Sequence, residues 1–224
     1  MNSYKTDLFD LRQMDCMELL RDTPDNAFDL AIVDPPYGIG EDGGKSKSRD
    51  RVGAGVEYAS KEWDKNRPAE EYFNELRRVS LNQIIWGANY YPEKLHASMG
   101  WVFWDKEASG DFSEGELAFT SFDRALRIFK FAWMGMRQGD MKNKEKRIHP
   151  TQKPVALYNW LLHNYAKEGD RILDTHLGSM SIALACHYKG FHLTGCELDK
   201  DYFKAGVERV KRETAQLDMF AINK

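Results

Sequence analysis

Four consecutive residues, Asp34-Pro35-Pro36-Tyr37, combine a carboxylate, two fixed backbone angles and an aromatic ring. Pro35 pushes Asp34 toward extended geometry, and each proline locks its own φ. The result is a rigid turn that presents a carboxylate, free carbonyls and a ring together. An exocyclic amine of a nucleobase is a poor nucleophile, because its lone pair is delocalised into the ring. The Asp34 carboxylate and the Pro35 carbonyl offer one acceptor to each amine hydrogen, which favours the pyramidal, reactive form. Tyr37 offers a stacking surface for the base. A base inside a duplex cannot reach such a turn, so this chemistry calls for a flipped-out nucleotide. A Pro-Pro turn with no chemical task is the plainer reading of these four residues alone.

A second candidate lies in Asp174-Thr175-His176-Leu177-Gly178-Ser179-Met180-Ser181. Glu197 follows Gly178 by nineteen residues, a spacing that suits a carboxylate gripping two ribose hydroxyls. Gly178 is the only glycine of the loop, so the G-x-G-x-x-G fingerprint is absent and a dinucleotide is disfavoured. A nucleoside without phosphates fits better. Taken alone, the loop is equally a plain strand-to-helix turn.

The elements that must position these groups follow from periodicity. Residues 7–15 can form a strand, followed by a short helix around Met17–Leu20 and a turn at Pro24-Asp25-Asn26. Leu30-Ala31-Ile32-Val33 is a buried-strand run that leads straight into Asp34. Residues 38–58 hold glycines and charges without an apolar period and are expected to be a mobile loop. Pro68 opens a helix whose buried face is Tyr72, Leu76 and Val79. Ile84–Trp86, Trp101–Trp104 and Arg127–Trp133 are further strands. Val155–Tyr165 is a helix, Arg171–Asp174 a strand, Ser181–Tyr188 a helix stopped by Gly190, and His192–Glu197 a strand. Asp199 caps a last helix running to about Thr214. The class is α/β with a mainly parallel sheet.

Composition narrows the function classes. No apolar run reaches the roughly 18 residues of a membrane span. The N-terminus carries no signal-peptide pattern, and Cys16, Cys186 and Cys196 form no zinc spacing, so a cytoplasmic setting without a membrane partner is expected. The 32 basic and 35 acidic residues give a net charge of −3, which does not announce nucleic-acid binding. The basic residues cluster, however: Lys45, Lys47, Arg49 and Arg51 in one stretch; Arg137, Lys142, Lys144, Lys146 and Arg147 in another. Either cluster alone is also what a solvated face looks like.

Three landmarks in one order carry a resemblance: Asp34–Tyr37; His149-Pro150-Thr151-Gln152-Lys153-Pro154; and the Asp174–Ser181 loop with Glu197. Trp86-Gly87-Ala88-Asn89-Tyr90 and Trp104-Asp105-Lys106 add to it. Together they resemble the β-group of amino-methylating DNA methyltransferases, over nearly the whole chain. The resemblance implies a single Rossmann-like methyltransferase domain over 1–224, a twisted sheet with helices on both faces, and a small inserted recognition lobe at 105–148. It implies S-adenosylmethionine as methyl donor and S-adenosylhomocysteine as product; a sulfonium methyl is already activated, so no metal is called for. Thr151 and Lys153 are then expected near the methionine carboxylate, Asp174 at its amino group and Glu197 at the ribose. Asp15 and Cys16 are expected at the adenine, with His149, His176, Gly178 and Ser179 completing the cofactor site. The basic residues of 137–147 become phosphate contacts, and those of 38–58 close over the flipped base.

Asp34 favours adenine N6, since cytosine N4 enzymes of this group more often begin the motif with Ser. Cytosine N4 and adenine in RNA are the alternatives. The group usually has Phe where His176 stands and a small residue where Met180 stands. A side chain that crowds the cofactor there would leave a weakly active DNA-binding protein; one that points into the core would not. The 215–224 tail contains Gln216-Leu217-Asp218-Met219-Phe220, which resembles the pentapeptide that docks on the bacterial sliding clamp. A bacterial or phage origin, a restriction partner and a homodimer also fit the resemblance.

Overall fold

The computed structural model describes residues 2–40, 61, 64–108, 113–134 and 136–221, without the side chains of 216–221. In chain order its strands are β1 (Ser3–Lys5), β2 (Phe9–Gln13), β3 (Phe28–Val33), β4 (Ser80–Trp86), β5 (Trp101–Asp105), β6 (Gly115–Thr120), β7 (Arg127–Lys130), β8 (Trp133–Met134), β9 (Arg137–Gln138), β10 (Arg171–Asp174) and β11 (His192–Glu197). Its α-helices are α1 (Cys16–Arg21), α2 (Glu70–Val79), α3 (Val155–Tyr165), α4 (Ser181–Lys189) and α5 (Lys200–Ala221).

One twisted sheet of order β1-β2-β11-β10-β3-β4-β6-β5-β7 organises these elements. Its middle, β2-β11-β10-β3-β4, is parallel; β1, and β6 on both of its sides, pair antiparallel. Period-two alternation sends successive side chains to opposite faces. Along β3, Leu30 and Ile32 enter one core with Leu157 and Leu161 of α3 and Leu184 of α4. Ala31 and Val33 enter the other, with Leu20 of α1 and Tyr72, Phe73, Leu76 and Val79 of α2. Both faces are therefore covered, which is why β3 reads as an uninterrupted apolar run.

The chain leaves β10 toward β11 on one side and β3 toward β4 on the other, so the order reverses between β10 and β3. Ligands of open α/β sheets bind at such a reversal, outside the carboxyl ends of the strands. Asp174 ends β10 and Asp34 follows β3, so both candidate loops open there.

Several expectations change. Segment 105–148 is not wholly an insertion: β6 and β7 are members of the main sheet, and β6 lies against β4. Among the described residues, strands β8 and β9 pair with each other outside the main sheet. The expected strand Arg127–Trp133 is two strands, β7 and β8, and α2 begins at Glu70 rather than at Pro68. Helix α5 continues to Ala221, through the predicted tail, where residues 215–221 hold no Gly or Pro. Lys45, Lys47, Arg49, Arg51 and most of the 38–58 loop lie outside the described residues. Among the described residues, no helix is long and apolar enough to cross a membrane.

Candidate active site

The turn after β3 is held from several sides. The Tyr37 hydroxyl donates to Asp34 Oδ1 at 2.6 Å, and the Lys153 ammonium donates to Oδ2 at 2.6 Å. Buried Asp64 braces the turn from behind: its Oδ1 accepts the N–H of Tyr37 at 2.6 Å and of Gly38 at 2.9 Å. Its backbone carbonyl accepts the N–H of Gly40 at 3.0 Å. The Tyr37 ring stacks on Tyr90, with centroids 4.9 Å apart and planes 16° from parallel. One ring face is therefore occupied by protein, a departure from the simple expectation of a platform for a base. Gly87, with φ of +66°, gives the ring its space, because a Cβ there would lie 2.0 Å from Tyr37 Cε1.

Lys153 sits between two carboxylates. Besides Asp34 it meets Glu116 Oε2 at 2.8 Å, and Glu116 Oε1 meets Lys106 at 2.5 Å. Burial pushes the Asp34 carboxyl above its usual range, against the pull of Lys153. Burial opposes the Lys153 charge as well, but Asp34 and Glu116 outweigh it and hold the ammonium above its usual value. Glu116 is also buried, yet Lys153 and Lys106 together bring it down to about 2. The site is thus a row of alternating charges: Asp34, Lys153, Glu116, Lys106. Glu116 and Asp64 are absent from the sequence-level expectations. Reading Gly115–Thr120 as a strand would have exposed Glu116, since it pairs with Trp104 in the register of β5 and β6.

A cavity of about 320 Å³ opens beside Asp34. Asp34 and Pro36 of the expected catalytic turn and Asp15, Cys16, His149, Thr151, Lys153, His176, Gly178, Ser179 and Glu197 of the expected cofactor set all line it. Asp15 caps α1 through the Met17 N–H at 2.8 Å. Glu197 accepts the N–H groups of Gly178 and Asp199, each at 2.8 Å, which fixes its carboxylate at the cavity edge. Tyr72 and Thr175 share a hydrogen bond at 2.7 Å, and Thr175 continues it to His176 Nδ1 at 2.9 Å. The His149 ring lies edge-on to Tyr202, 4.3 Å between centroids. Burial, then Lys153, pushes His149 down to about 3, and burial pushes His176 down to about 4, so both are neutral at pH 7. Burial also pushes the Cys16 thiol up to about 12, so it is no nucleophile there. Among the described residues, the lining carries the carboxyl groups of Asp15, Asp34, Glu71 and Glu197 against the ammonium of Lys153. Such a lining favours a cationic ligand and opposes a pyrophosphate.

Pro35, Tyr37 and Asp174 do not line the cavity. Asp174 departs from its expected place: its carboxyl is buried and Oδ1 takes the His176 N–H at 2.9 Å. Burial raises it to about 8. Met180 does not line the cavity either. It is fully buried, adopts φ of +58°, and packs against Gly206 of α5, where a Cβ would lie 2.7 Å from Met180 Cγ. The side chain points into the helix core, and crowding of the cavity by it is not seen.

The family model described as DNA methylase, N6_N4_Mtase, matches residues 93–208, more than half of the chain. This chain belongs to the N6/N4 DNA methylase family. M.HpaI, a type II methyltransferase of Haemophilus parainfluenzae, is 27% identical over 233 residues, spanning 88% of this chain and 72% of that protein. Solved structures share the fold of this methylase. The complex of M1.HpyAVI with SAM has a TM-score of 0.57 at 19% identity, covering 90% of this chain and 99% of that one. The cytosine-N4-specific PvuII DNA methyltransferase has a TM-score of 0.59 at 10% identity, covering 95% and 93%.

The basic segment of the methylase divides in two. Arg137, Lys142, Lys144 and Lys146 are exposed. Arg147 departs from them: it is half-buried, with its guanidinium carbon 4.5 Å from the Trp133 ring centroid. Glu145, in the middle of this run, anchors it. Its carboxylate accepts the Val155 N–H at 2.8 Å and pairs with Arg209 at 2.7 Å. Arg209, 1% exposed, also donates to Ser179 O at 3.1 Å and to Ser181 Oγ at 2.9 Å. One buried guanidinium therefore ties the basic segment to the loop that lines the cavity. Among the described residues, no cluster of three His, Cys, Asp or Glu side chains stands ready to hold a metal.

Proposed function

We propose that this DNA methylase transfers a methyl group from S-adenosylmethionine to N6 of a flipped-out adenine. The observation that carries the reading is the junction at Asp34: the braced turn after β3 delivers its carboxylate into the wall of the cavity. When bound, S-adenosylmethionine supplies an activated methyl on a cationic sulfonium, and the acidic lining described above suits that charge. Glu197, at the end of β11, is the candidate acceptor for two ribose hydroxyls. Asp15 and Cys16, beside it where α1 begins after the neighbouring strand β2, suit the adenine. Thr151 is the candidate for the methionine carboxylate. Asp34 is engaged by Lys153 and Tyr37, and an amine hydrogen of the target base must find its acceptor there. The exposed cations of 137–146 suit the DNA phosphates. Adenine is favoured over cytosine because an Asp opens the motif.

Single-molecule sequencing of DNA from cells that express the protein reads base, position and motif together. We expect N6-methyladenine at one motif, lost in Asp34→Ala. Methylated cytosine N4 would overturn the choice of base and keep the site. Methylated RNA with unmodified DNA would move the substrate. N6-methylation that survives in Asp34→Ala would remove the catalytic assignment.

A further inference from the structure

Both oxygens of the Asp34 carboxylate already hold protein donors, Tyr37 on Oδ1 and Lys153 on Oδ2. An incoming amine therefore meets a carboxylate whose charge an ammonium already engages. Lys153 is 4% exposed, so its ammonium depends on protein partners rather than on bulk water. A buried cation moves only where a counter-charge receives it. The receiver is in place: Glu116 Oε2 already touches Lys153 at 2.8 Å, and Lys106 at 2.5 Å on the other oxygen keeps Glu116 ionised and oriented.

We infer that Lys153 is a stand-in for the target amine, held on Asp34 until the base arrives, and that Glu116 is the positioning residue that receives it when the base displaces it. The inference rests on the reading of Asp34 as acceptor for the target amine. The exchange is balanced. Asp34 gives up one N–H donor and gains another, Lys153 keeps a carboxylate, and no proton changes hands. An ammonium has no free lone pair, so Lys153 is no competing nucleophile for the methyl group. The single carboxylate of Glu116 also explains why two lysines converge beside the turn: one stays, and the other can leave Asp34 without becoming an unpaired buried charge.

A double-mutant cycle tests this, with labelled S-adenosylmethionine at saturation and genomic DNA amplified in vitro, which is unmethylated and offers every short motif. In Glu116→Gln, Lys153 has only Asp34 as counter-ion and is trapped there. We expect the rate of methyl transfer to fall about ten-fold or more, while affinity for S-adenosylmethionine changes by less than about three-fold. Adding Lys153→Met removes the trapped cation. The double variant is expected to be several-fold faster than Glu116→Gln alone. A residue that only supports β6 would give the opposite: a double variant no faster than the single one, which overturns the inference. If Glu116→Gln does not fold, Glu116→Asp takes its place in the cycle, its shorter carboxylate withdrawn from Lys153, with the same expected signs. Wild-type protein inactive on this DNA, or Asp34→Ala as active as wild type, overturns the functional reading and the inference together. An active wild type matched by Glu116→Gln overturns the inference alone.

Discussion

Gly87 and the ring of Tyr37 pack so closely that no side chain fits between them; a Cβ on Gly87 would lie 2.0 Å from Cε1 of the ring. Gly87 also sits at φ of +66°, where an L side chain is strained. Gly87→Ala therefore meets two obstacles at once, and the ring must leave its stack on Tyr90 to relieve one of them. The expected cost is about 1–3 kcal/mol of stability, read by urea unfolding. Because the Tyr37 hydroxyl is a donor to Asp34, methyl transfer should fall more steeply than stability alone explains. A variant with wild-type rate and midpoint would show that the ring has another place to go.

Met180 links the loop after β10 to α5 without touching the cavity. Met180→Ala should cost about 2–5 kcal/mol, as truncation of a buried methionine does. Affinity for S-adenosylmethionine, measured by calorimetry, should change by less than about three-fold, because the deleted atoms face Gly206 and not the ligand. A gain in affinity of about ten-fold would mean that Met180 does crowd the cavity.

Asp174 and the two cavity histidines act oppositely on the pH dependence of stability. Asp174 titrates near 8 when folded, against an ordinary 3.8, so between those values the folded state holds a proton that the unfolded chain lacks. Its contribution falls as pH rises through that window. His149 and His176, lowered to about 3 and about 4 from 6.5, do the reverse: stability is lost as pH falls below 6.5. From pH 6.5 to 8 only the Asp174 effect remains of these three. Asp174→Asn keeps an acceptor for the His176 N–H and cannot ionise. Its stability relative to wild type should rise by on the order of 1 kcal/mol between pH 6.5 and pH 8. Urea unfolding at the two pH values checks this, and a constant difference would place the Asp174 titration elsewhere.

The parts of the site legible in the sequence were those encoded by neighbours in the chain. Asp34–Tyr37 follows an apolar strand run, and Glu197 ends another, so strand ends and turns could be read locally. The HPTQKP residues had to be joined to them by resemblance, and the structure brings His149, Thr151 and Lys153 to the same cavity. What escaped was set by pairing across the chain. Strand β6 is short, includes a charged residue and a small one, and follows a Gly- and Ser-rich stretch, so no period announces it. Its partner strands β4 and β5 supply the reason it forms. Glu116 thereby passed as one more charge in an irregular region. Asp64 was hidden in the same way, because its partners, Tyr37 and Gly38, lie 27 and 26 residues away. Lys153 was expected near the methionine carboxylate, and nothing local shows that it reaches across 119 residues to Asp34. Asp174 reads as a ligand-facing carboxylate at a strand end, but its own loop closes over it through the His176 N–H.

The contacts of Asp64 bear on how the turn is held. Its carboxylate takes the N–H groups of Tyr37 and Gly38 and its carbonyl takes that of Gly40, so one distant residue engages three donors of the turn at once. Loss of the Asp64 carboxylate would therefore loosen the turn that carries Asp34, although Asp64 itself does not line the cavity.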